Sequence, residues 1–328
     1  MKLATIEIII VSIVIGIVVS LAVCDAQPSM PVARIGVLTL APGPSPLLEA
    51  FHQSLRDLGY VEGQNIAFEV RHAKGRDELL PTLAADLVQH EVNVIFAGGN
   101  AAVRAAKQAT HTIPIVMLVG GDPVGSGLIA SLARPGGNIT GITGLSARLT
   151  AKRLELLKQL VPTVSRVAVL FNPDDATKAL DWQQLQVNAR ALGVMLHPVP
   201  VRDPSDFEPA FTAMTQQRDG ALITFGDAFT MFHRVQIITL TAASRLPAIY
   251  EAREWAEAGG LMAYGPSLRD MVRRAATYVD KILKGAQPGN LPVEEVTTFA
   301  LAINQKTATT LGLSIPPSLL GRADEVIQ

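Results

Sequence analysis

Cysteine is almost absent from this chain of 328 residues, which has Cys24 alone. A disulfide needs two thiols and a thiolate zinc site needs more, so neither is available to the body of the protein. The six histidines are scattered, with no H-x-x-x-H or comparable ligand spacing. We therefore predict that the protein has no metal site and no cofactor.

Two frequent catalytic signatures are also absent. The sequence contains neither G-x-S-x-G, which exposes a nucleophilic serine, nor G-x-x-x-x-G-K-[ST], which holds phosphates. Gly125 to Ala130 matches the G-x-G-x-x-G/A dinucleotide fingerprint, but five residues separate it from the preceding strand and no acidic residue lies between Asp122 and Glu155. We interpret these small residues as letting a short helix lie close to a sheet. No catalytic residue is predicted.

Charged residues make up only 17% of the chain, and neither sign dominates. Beyond residue 26, basic and acidic residues are equal in number, whereas a nucleic-acid-binding surface shows as an excess of Lys and Arg. Apolar residues make up 48%, which is typical of a compact globular chain. The length favours two domains, each long enough to bury its own core. We therefore predict two globular domains and no nucleic-acid partner.

The N-terminus has the composition of an export leader. Lys2 precedes an almost unbroken apolar run from Ile8 to Val23, which is shorter than the ~20 residues that span a bilayer. We interpret residues 1–26 as a signal peptide that is removed after Ala26. Alternatively, residues 21–24 resemble a lipoprotein box, in which an acylated Cys24 holds the protein on a membrane. A retained N-terminal anchor is a third alternative, and the predicted location is the periplasm.

From residue 34 onward, apolar strand patterns alternate with helical patterns. The predicted strands are Arg34 to Leu40, Ile66 to Val70, Val92 to Phe96, Ile113 to Val119, Arg166 to Phe171, Val194 to Val201, Ala221 to Phe225, Pro247 to Tyr250, Leu261 to Tyr264 and Val296 to Ile303. Asn100 is predicted to cap the helix after the third strand, and residues 205–208 and 267–270 match capping boxes. This alternation predicts an α/β fold with two sheet-and-helix lobes.

Candidate ligand-binding residues lie mainly where predicted strands end, because open α/β sheets bind ligands beyond the carboxyl ends of their strands. They are Gly99, Asn100, Ala101, Asp122, Thr143, Asn172, Asp227, Tyr250, Glu251 and Tyr264. The backbone N–H groups at residues 99–101 would hold a carboxylate, the acidic residues an ammonium group, and the tyrosines an apolar side chain. Each residue has a structural alternative, since Asn100 caps a helix and Asp122 and Asp227 form turns equally well.

Several motifs resemble a known family, in order as well as in content. They are residues 113–116 (IPIV), 121–125 (GDPVG), 132–141 (LARPGGNITG), 259–265 (GGLMAYG), 273–285 (RRAATYVDKILKG) and 311–320 (LGLSIPPSLL). From about Arg34 to the C-terminus the chain resembles substrate-binding proteins of an ABC transporter family, some of which take aromatic amino acids. Such proteins often carry Gly-Thr-Pro before the third helix, where this chain has Gly99-Asn100-Ala101.

The resemblance implies a type I periplasmic binding protein fold. This fold has two doubly wound three-layer lobes joined by three crossing segments, which we place near residues 140–145, 259–265 and 287–295. Lobe one is then predicted to hold residues 31–143 and 265–288, and lobe two residues 144–264 and 289–328. Solute should close the lobes by backbone rotation at the crossings, with Gly137, Gly141 and Gly144 absorbing it.

The implied function is extracytoplasmic capture of a small solute, an amino acid or a related molecule, for delivery to the membrane permease of an ABC importer. The expected partners are the solute and the permease subunits, and the protein is expected to be a monomer. Two alternatives stay open, a two-lobed enzyme that uses the same cleft and a ligand-binding module of a signalling system. A DNA-binding repressor is disfavoured because a hydrophobic leader occupies the place of a helix-turn-helix.

Overall fold

The computed structural model describes residues 32–144, 146–175 and 177–328. Within these ranges the strands form two sheets, whose strands are mostly parallel. Sheet one has the strand order β11-β5-β4-β3-β1-β2. Its strands are β1 (Ala33–Thr39), β2 (Ile66–His72), β3 (Val94–Gly98), β4 (Ile115–Val119), β5 (Ile139–Thr143) and β11 (Glu294–Glu295). We call this sheet and the helices packed on it lobe one.

Sheet two forms the centre of lobe two, in the order β13-β12-β10-β9-β8-β6-β7. Its strands are β6 (Arg166–Phe171), β7 (Met195–Pro200), β8 (Ala221–Thr224), β9 (Ala248–Tyr250), β10 (Met262–Pro266), β12 (Phe299–Asn304) and β13 (Glu325–Ile327). The pairing of β10 with β12 is antiparallel. Within each sheet the parallel strands end at one edge of that sheet, and ligands bind beyond this carboxyl edge in such folds.

Helices cover both faces of each sheet. In chain order they are α1 (Pro46–Asp57), α2 (Leu80–Gln89), α3 (Asn100–Ala109), α4 (Ser146–Leu160), α5 (Lys178–Ala191), α6 (Phe207–Gln216), α7 (Ala228–Phe232), α8 (Arg234–Ala243), α9 (Arg253–Glu257), α10 (Leu268–Leu283), α11 (Gln305–Thr310) and α12 (Pro317–Leu320). Ile35 and Val37 point to the same hydrophobic cluster as α1 and α10, whereas Leu38 joins α2 and α3 on the opposite face. This division confirms the predicted doubly wound three-layer architecture.

Three segments join the lobes. The first follows β5, the second lies between β10 and α10, and the third lies between β11 and β12. The predicted second crossing at residues 259–265 is therefore too early, because Met262–Pro266 is a paired strand of sheet two. Strand β11 pairs with β5 in sheet one, although the predicted lobe boundaries place residues from 289 onward in lobe two. A two-residue strand is too short to leave a hydrophobic pattern in the sequence.

Two predicted helix caps differ in the structure. Gly99, with φ of 95°, occupies the N-cap of α3, so Asn100 is its first helical residue and its side chain is free to bond elsewhere. Before α6, the reciprocal capping box is formed by Asp203 and Asp206, because a 3-10 turn precedes this helix. Ser267 caps α10 as predicted. The predicted leader and Cys24 lie outside the described residues, and no helix within them is long and apolar enough to cross a membrane.

Candidate functional site

The carboxyl ends of the two sheets meet across a closed interlobe cleft, where glycines allow close backbone approach. A Cβ atom added at Gly121 would lie 2.4 Å from Oγ1 of Thr177, which precedes α5 in lobe two. A Cβ at Gly99 would lie 2.9 Å from the Cβ of Ala228. Because contacts this short do not occur between real side chains, larger residues at these positions would keep the lobes apart.

Asn100 makes a polar contact across the cleft, from lobe one to lobe two. Its Nδ2 donates to Oδ2 of Asp175 at 2.8 Å and to Oγ1 of Thr177 at 3.2 Å. Oδ1 of Asp175 in turn accepts from the backbone N–H and the hydroxyl of Thr177. Burial raises the pKa of Asp175, but Lys178, Asn100 and Thr177 outweigh this effect and hold the pKa below its usual value.

Lys178 is a buried cation beneath this contact, with 2% of its surface exposed. Its Nζ donates to the carbonyl oxygen of Gly226 at 2.7 Å and to Oδ2 of Asp181 at 3.2 Å, and it lies 3.8 Å from Oδ2 of Asp175. Burial alone would lower the pKa of Lys178, yet Asp181, Asp175 and Asp227 raise it. The lysine therefore stays charged and holds the surrounding carboxylates in place.

Asp227 caps α7 on the lobe-two side of the cleft. Its Oδ1 accepts from the backbone N–H of Thr230 at 2.7 Å, and its own N–H donates to the threonine hydroxyl. Oδ2 is buried and has no partner among the described residues. Burial raises the pKa of Asp227 to about 7, against the opposing effects of Lys178 and Thr230. An acid with such a pKa and a spare oxygen is suited to a cationic ligand group.

Asp77, after β2, adds a carboxylate from lobe one. Its Oδ1 is buried and without a partner in the described part of the chain, as is Oδ1 of Asn100. Burial raises the pKa of Asp77, Arg104 opposes this, and Asp175 across the cleft is among the acids that add to it. Together with Oδ2 of Asp227, these atoms make three buried acceptors without donors. A ligand that carries several N–H donors would satisfy them.

Four other predicted residues bond within their own loops or pack into the core. Oδ1 of Asp122 accepts from the N–H of Val124, which makes Asp122 a turn former. Thr143 donates to the carbonyl oxygen of Gly121 at 2.8 Å, and Oδ1 of Asn172 accepts from the N–H of Asp174. Ala101 packs against the hydrophobic core. The hydrogen bonds of Asp122, Thr143 and Asn172 described here are to neighbouring loop backbone, so these bonds support the shape of the cleft, and direct contact with the solute stays a prediction.

Two of the three residues predicted at the end of β9 and on β10, Tyr250 and Glu251, have their side chains engaged within lobe two. The ring of Tyr250 is fully buried and stacks on Trp255 at a centroid distance of 4.5 Å. The carboxylate of Glu251 accepts from Trp255 Nε1 at 2.9 Å and Thr224 Oγ1 at 2.8 Å, and burial raises its pKa against the effect of Arg153. Tyr264 packs on the lobe-two core near Phe299. Tyr250 and Glu251 are therefore structural residues of lobe two, because their side chains bond or pack within that lobe. Tyr264 is only partly buried, and its contact with the solute stays a prediction.

The sequence prediction missed four cleft residues: Asp77, Asp175, Thr177 and Lys178. Three of them lie between the end of β6 and the first turn of α5, so the acidic pair at 174–175 after an apolar strand was a usable indication. Asp77 precedes Glu78 in a short polar turn, which sequence alone does not separate from a solvated loop. No group of three or more metal-ligating side chains was found in the residues that the structure describes.

The fold and the cleft together define a two-lobed solute-binding protein of the type I periplasmic class. The family model for ABC transporter substrate binding proteins matches residues 34–327. The chain is 25% identical to the tyrosine-binding protein of Clostridioides difficile over 282 residues, which are 85% of this chain and 81% of that protein. The chain therefore belongs to the family of ABC transporter substrate-binding proteins, whose members work outside the cytoplasm and capture solutes for ABC importers.

Two solved structures of similar proteins share the whole architecture. A conserved domain protein from Vibrio cholerae superposes with a TM-score of 0.83 at 28% identity, covering 90% of this chain and 99% of the other. The ABC domain from Streptococcus pneumonia in complex with L-Trp also gives 0.83, at 25% identity, covering 90% of this chain and 100% of the other. The predicted fold and the predicted role in solute capture are thus confirmed.

Proposed function

We propose that the solute is an amino acid, held between the lobes by its charged ends. The observation that carries this proposal is that three acceptors of the cleft, Oδ1 of Asp77, Oδ1 of Asn100 and Oδ2 of Asp227, are buried and have no partner among the described residues. An ammonium group has three N–H donors and a positive charge that favours the ionised form of Asp227. Relatives that bind tyrosine and L-Trp support the same class of solute.

The carboxylate end belongs at the start of α3. The N–H of Gly99 is already donated to the carbonyl oxygen of Leu118, so the free donors are the N–H groups of the first helical residues, Asn100 and Ala101. The positive end of the helix dipole favours an anion there. This assignment places both charged ends of the solute beside Asn100.

A ligand screen tests the proposal. The protein is heated with L-tyrosine, L-tryptophan, L-phenylalanine, L-leucine, sugars and purines, because a ligand that binds only the folded state raises the unfolding temperature. We expect an amino acid to stabilise it, and calorimetry to show that the corresponding amine-free acid does not bind. Stabilisation by a sugar or a purine alone would contradict the assignment.

We also propose that the chain is exported through the leader at residues 1–26 and acts as a monomer that delivers its solute to a permease. Exported protein should have the intact mass of a chain beginning at Gln27, or of one beginning at an acylated Cys24. Light scattering should give the mass of one chain. A product that retains Met1 in a host with working export would contradict both forms of processing.

A further inference from the structure

The nitrogen and the oxygen of the Asn100 side-chain amide have different roles in the cleft. Both N–H groups of a primary amide are used when Nδ2 donates to Oδ2 of Asp175 and to Oγ1 of Thr177. Both acceptors belong to lobe two, whereas Asn100 belongs to α3 of lobe one. The nitrogen is therefore engaged in holding the lobes together, and only the amide oxygen is left for the cleft.

The chemistry of the acceptors fixes which way this amide points. Thr177 gives its hydroxyl hydrogen to Oδ1 of Asp175 at 2.8 Å, so its oxygen has only lone pairs to offer Asn100. Asp175 stays ionised beside Lys178, so its Oδ2 is an acceptor only. A turned amide would set its oxygen against two acceptors, which is unfavourable. Lobe two thus fixes the orientation of a lobe-one side chain.

We propose that Asn100 is a specificity-determining residue whose carbonyl oxygen demands a hydrogen-bond donor from the solute, and that lobe two imposes this demand when the cleft closes. Oδ1 of Asn100 is buried and has no partner among the described residues, so closure around a solute without a donor leaves a desolvated acceptor. In an open protein the amide loses Asp175 and turns freely. The protein therefore discriminates between solutes with and without a hydrogen-bond donor at the step in which the lobes close. This inference rests on the proposed function for the identity of the donor, an amine N–H.

A pair of isosteric substitutions tests the inference. Asn100→Asp sets a carboxylate against that of Asp175, so we expect the lobes to separate and the affinity to fall by more than about tenfold. Adding Asp175→Asn restores one N–H donor between the lobes, now from position 175, while position 100 keeps an oxygen for the solute. The double variant should therefore recover most of the affinity and of the closure. Asn188→Asp on α5 is the control, since among the described residues the Asn188 side chain donates to Gln184 of its own helix and to no other group.

Two measurements are made on exported protein. Calorimetry with L-tyrosine and L-tryptophan gives affinities, and small-angle scattering gives the radius of gyration with and without each amino acid. Recovery in the double variant supports the inference. It is overturned if Asn100→Asp leaves affinity and radius unchanged, or if a folded double variant recovers neither.

Failure of the proposed function has a different signature. If neither amino acid binds the unmodified protein while another solute does, the amino-acid assignment fails, and the same four proteins are then compared with that solute. The inference would still require the loss in Asn100→Asp and the recovery in the double variant. Unchanged affinity for that solute in Asn100→Asp would overturn it.

Discussion

The carboxyl group of Asp227 has a structural role through one oxygen and offers the other oxygen as a hydrogen-bond acceptor. Its Oδ1 is committed to Thr230 at the start of α7, whereas Oδ2 is buried without a partner in the described structure. Lys178 and Asp175 are the charged groups that act on it, with opposite effects on its pKa. Because the capping bond fixes the carboxyl group, a ligand meets an acceptor that is already oriented.

Binding of an amino acid should weaken as the pH falls through about 7. Burial raises the pKa of Asp227 to about 7, so the empty protein is increasingly protonated there below this pH, and an ammonium group must displace that proton. We expect the affinity to decline on acidification through this pH, and to decline again in alkaline solution, where the ammonium group of the solute loses its proton. Calorimetry in buffers of different ionisation enthalpy should show proton release on binding near pH 7.

The variant Asp227→Asn supplies the control for this pH dependence. It removes the negative charge, so the binding free energy should become less favourable by about 1.5 to 3 kcal/mol. The affinity of this variant should also no longer change with pH near 7. Stability should move in the opposite sense to binding, because a carboxyl group with a raised folded-state pKa stabilises the fold at low pH and loses that contribution as the pH rises through about 7. An unchanged pH profile in Asp227→Asn would assign the titration to another group.

Arg153 should be required for stability rather than for binding. It is 1% exposed, donates through Nε to the carbonyl oxygen of Tyr264 at 2.8 Å, and is the main charge opposing the raised pKa of Glu251. Arg153→Met leaves Glu251 buried without its cation, which we expect to cost about 3 to 5 kcal/mol in the free energy of unfolding. Urea unfolding measures the loss. If folded variant protein instead lost solute affinity, Glu251 would have to face the ligand.

At the level of elements, the strands and helices were predictable from sequence where burial gives the apolar residues a regular spacing. The side chains that face the cleft leave no such spacing and were only partly predictable. Strands such as β1 and β4 are buried on both faces, and apolar runs identify them. Asn100 and Asp227 were identified because both follow strands. The roles of Tyr250 and Glu251 were not predictable, since a residue at a strand end points either to the cleft or to the interior, and only packing against Trp255 and Arg153 decides.

The loop after β4 carries the small residue that closure requires. Gly121→Ala places a methyl group 2.4 Å from Oγ1 and 2.6 Å from Cβ of Thr177, which is buried and cannot move aside. We expect the lobes to stop short of full closure and solute affinity to fall by about tenfold or more, since fewer molecules reach the binding-competent state. Calorimetry measures this loss.

Gly120→Ala is the matched control for that substitution. It makes the same change one residue earlier, where an added Cβ meets nothing within 4 Å. Its affinity should stay close to that of the unmodified protein, and the unfolding temperatures of the two variants should be similar. Equal losses of affinity in both variants would show that backbone stiffening of the loop, rather than contact with Thr177, is responsible.

Over the whole molecule, the crossings leave room for the lobes to rotate. A cavity of about 150 Å³ lies beside the first and third crossings, with Gly144, Leu149 and Val296 among its lining residues. Arg148 of lobe two pairs with Glu295 of lobe one at 3.3 Å, but Arg148 is 80% exposed, so breaking this ion pair costs little. Gly141 is a poor hinge, because β5 holds its Cα against the backbone of Met117.

Solute should therefore shift the molecule towards the closed form described here. The contacts from Asn100 to Asp175 and from Gly121 to Thr177 join residues that are far apart in sequence and lie on opposite sides of the cleft. A solute that fills the closed cleft therefore stabilises them by linkage. We expect the radius of gyration to fall on addition of a saturating amino acid. In Gly121→Ala the fall should be smaller, because the added methyl group blocks the last part of the rotation. An unchanged radius in the unmodified protein, with calorimetric binding observed, would mean that the lobes are closed before the solute arrives and that it enters by local movement of the loops.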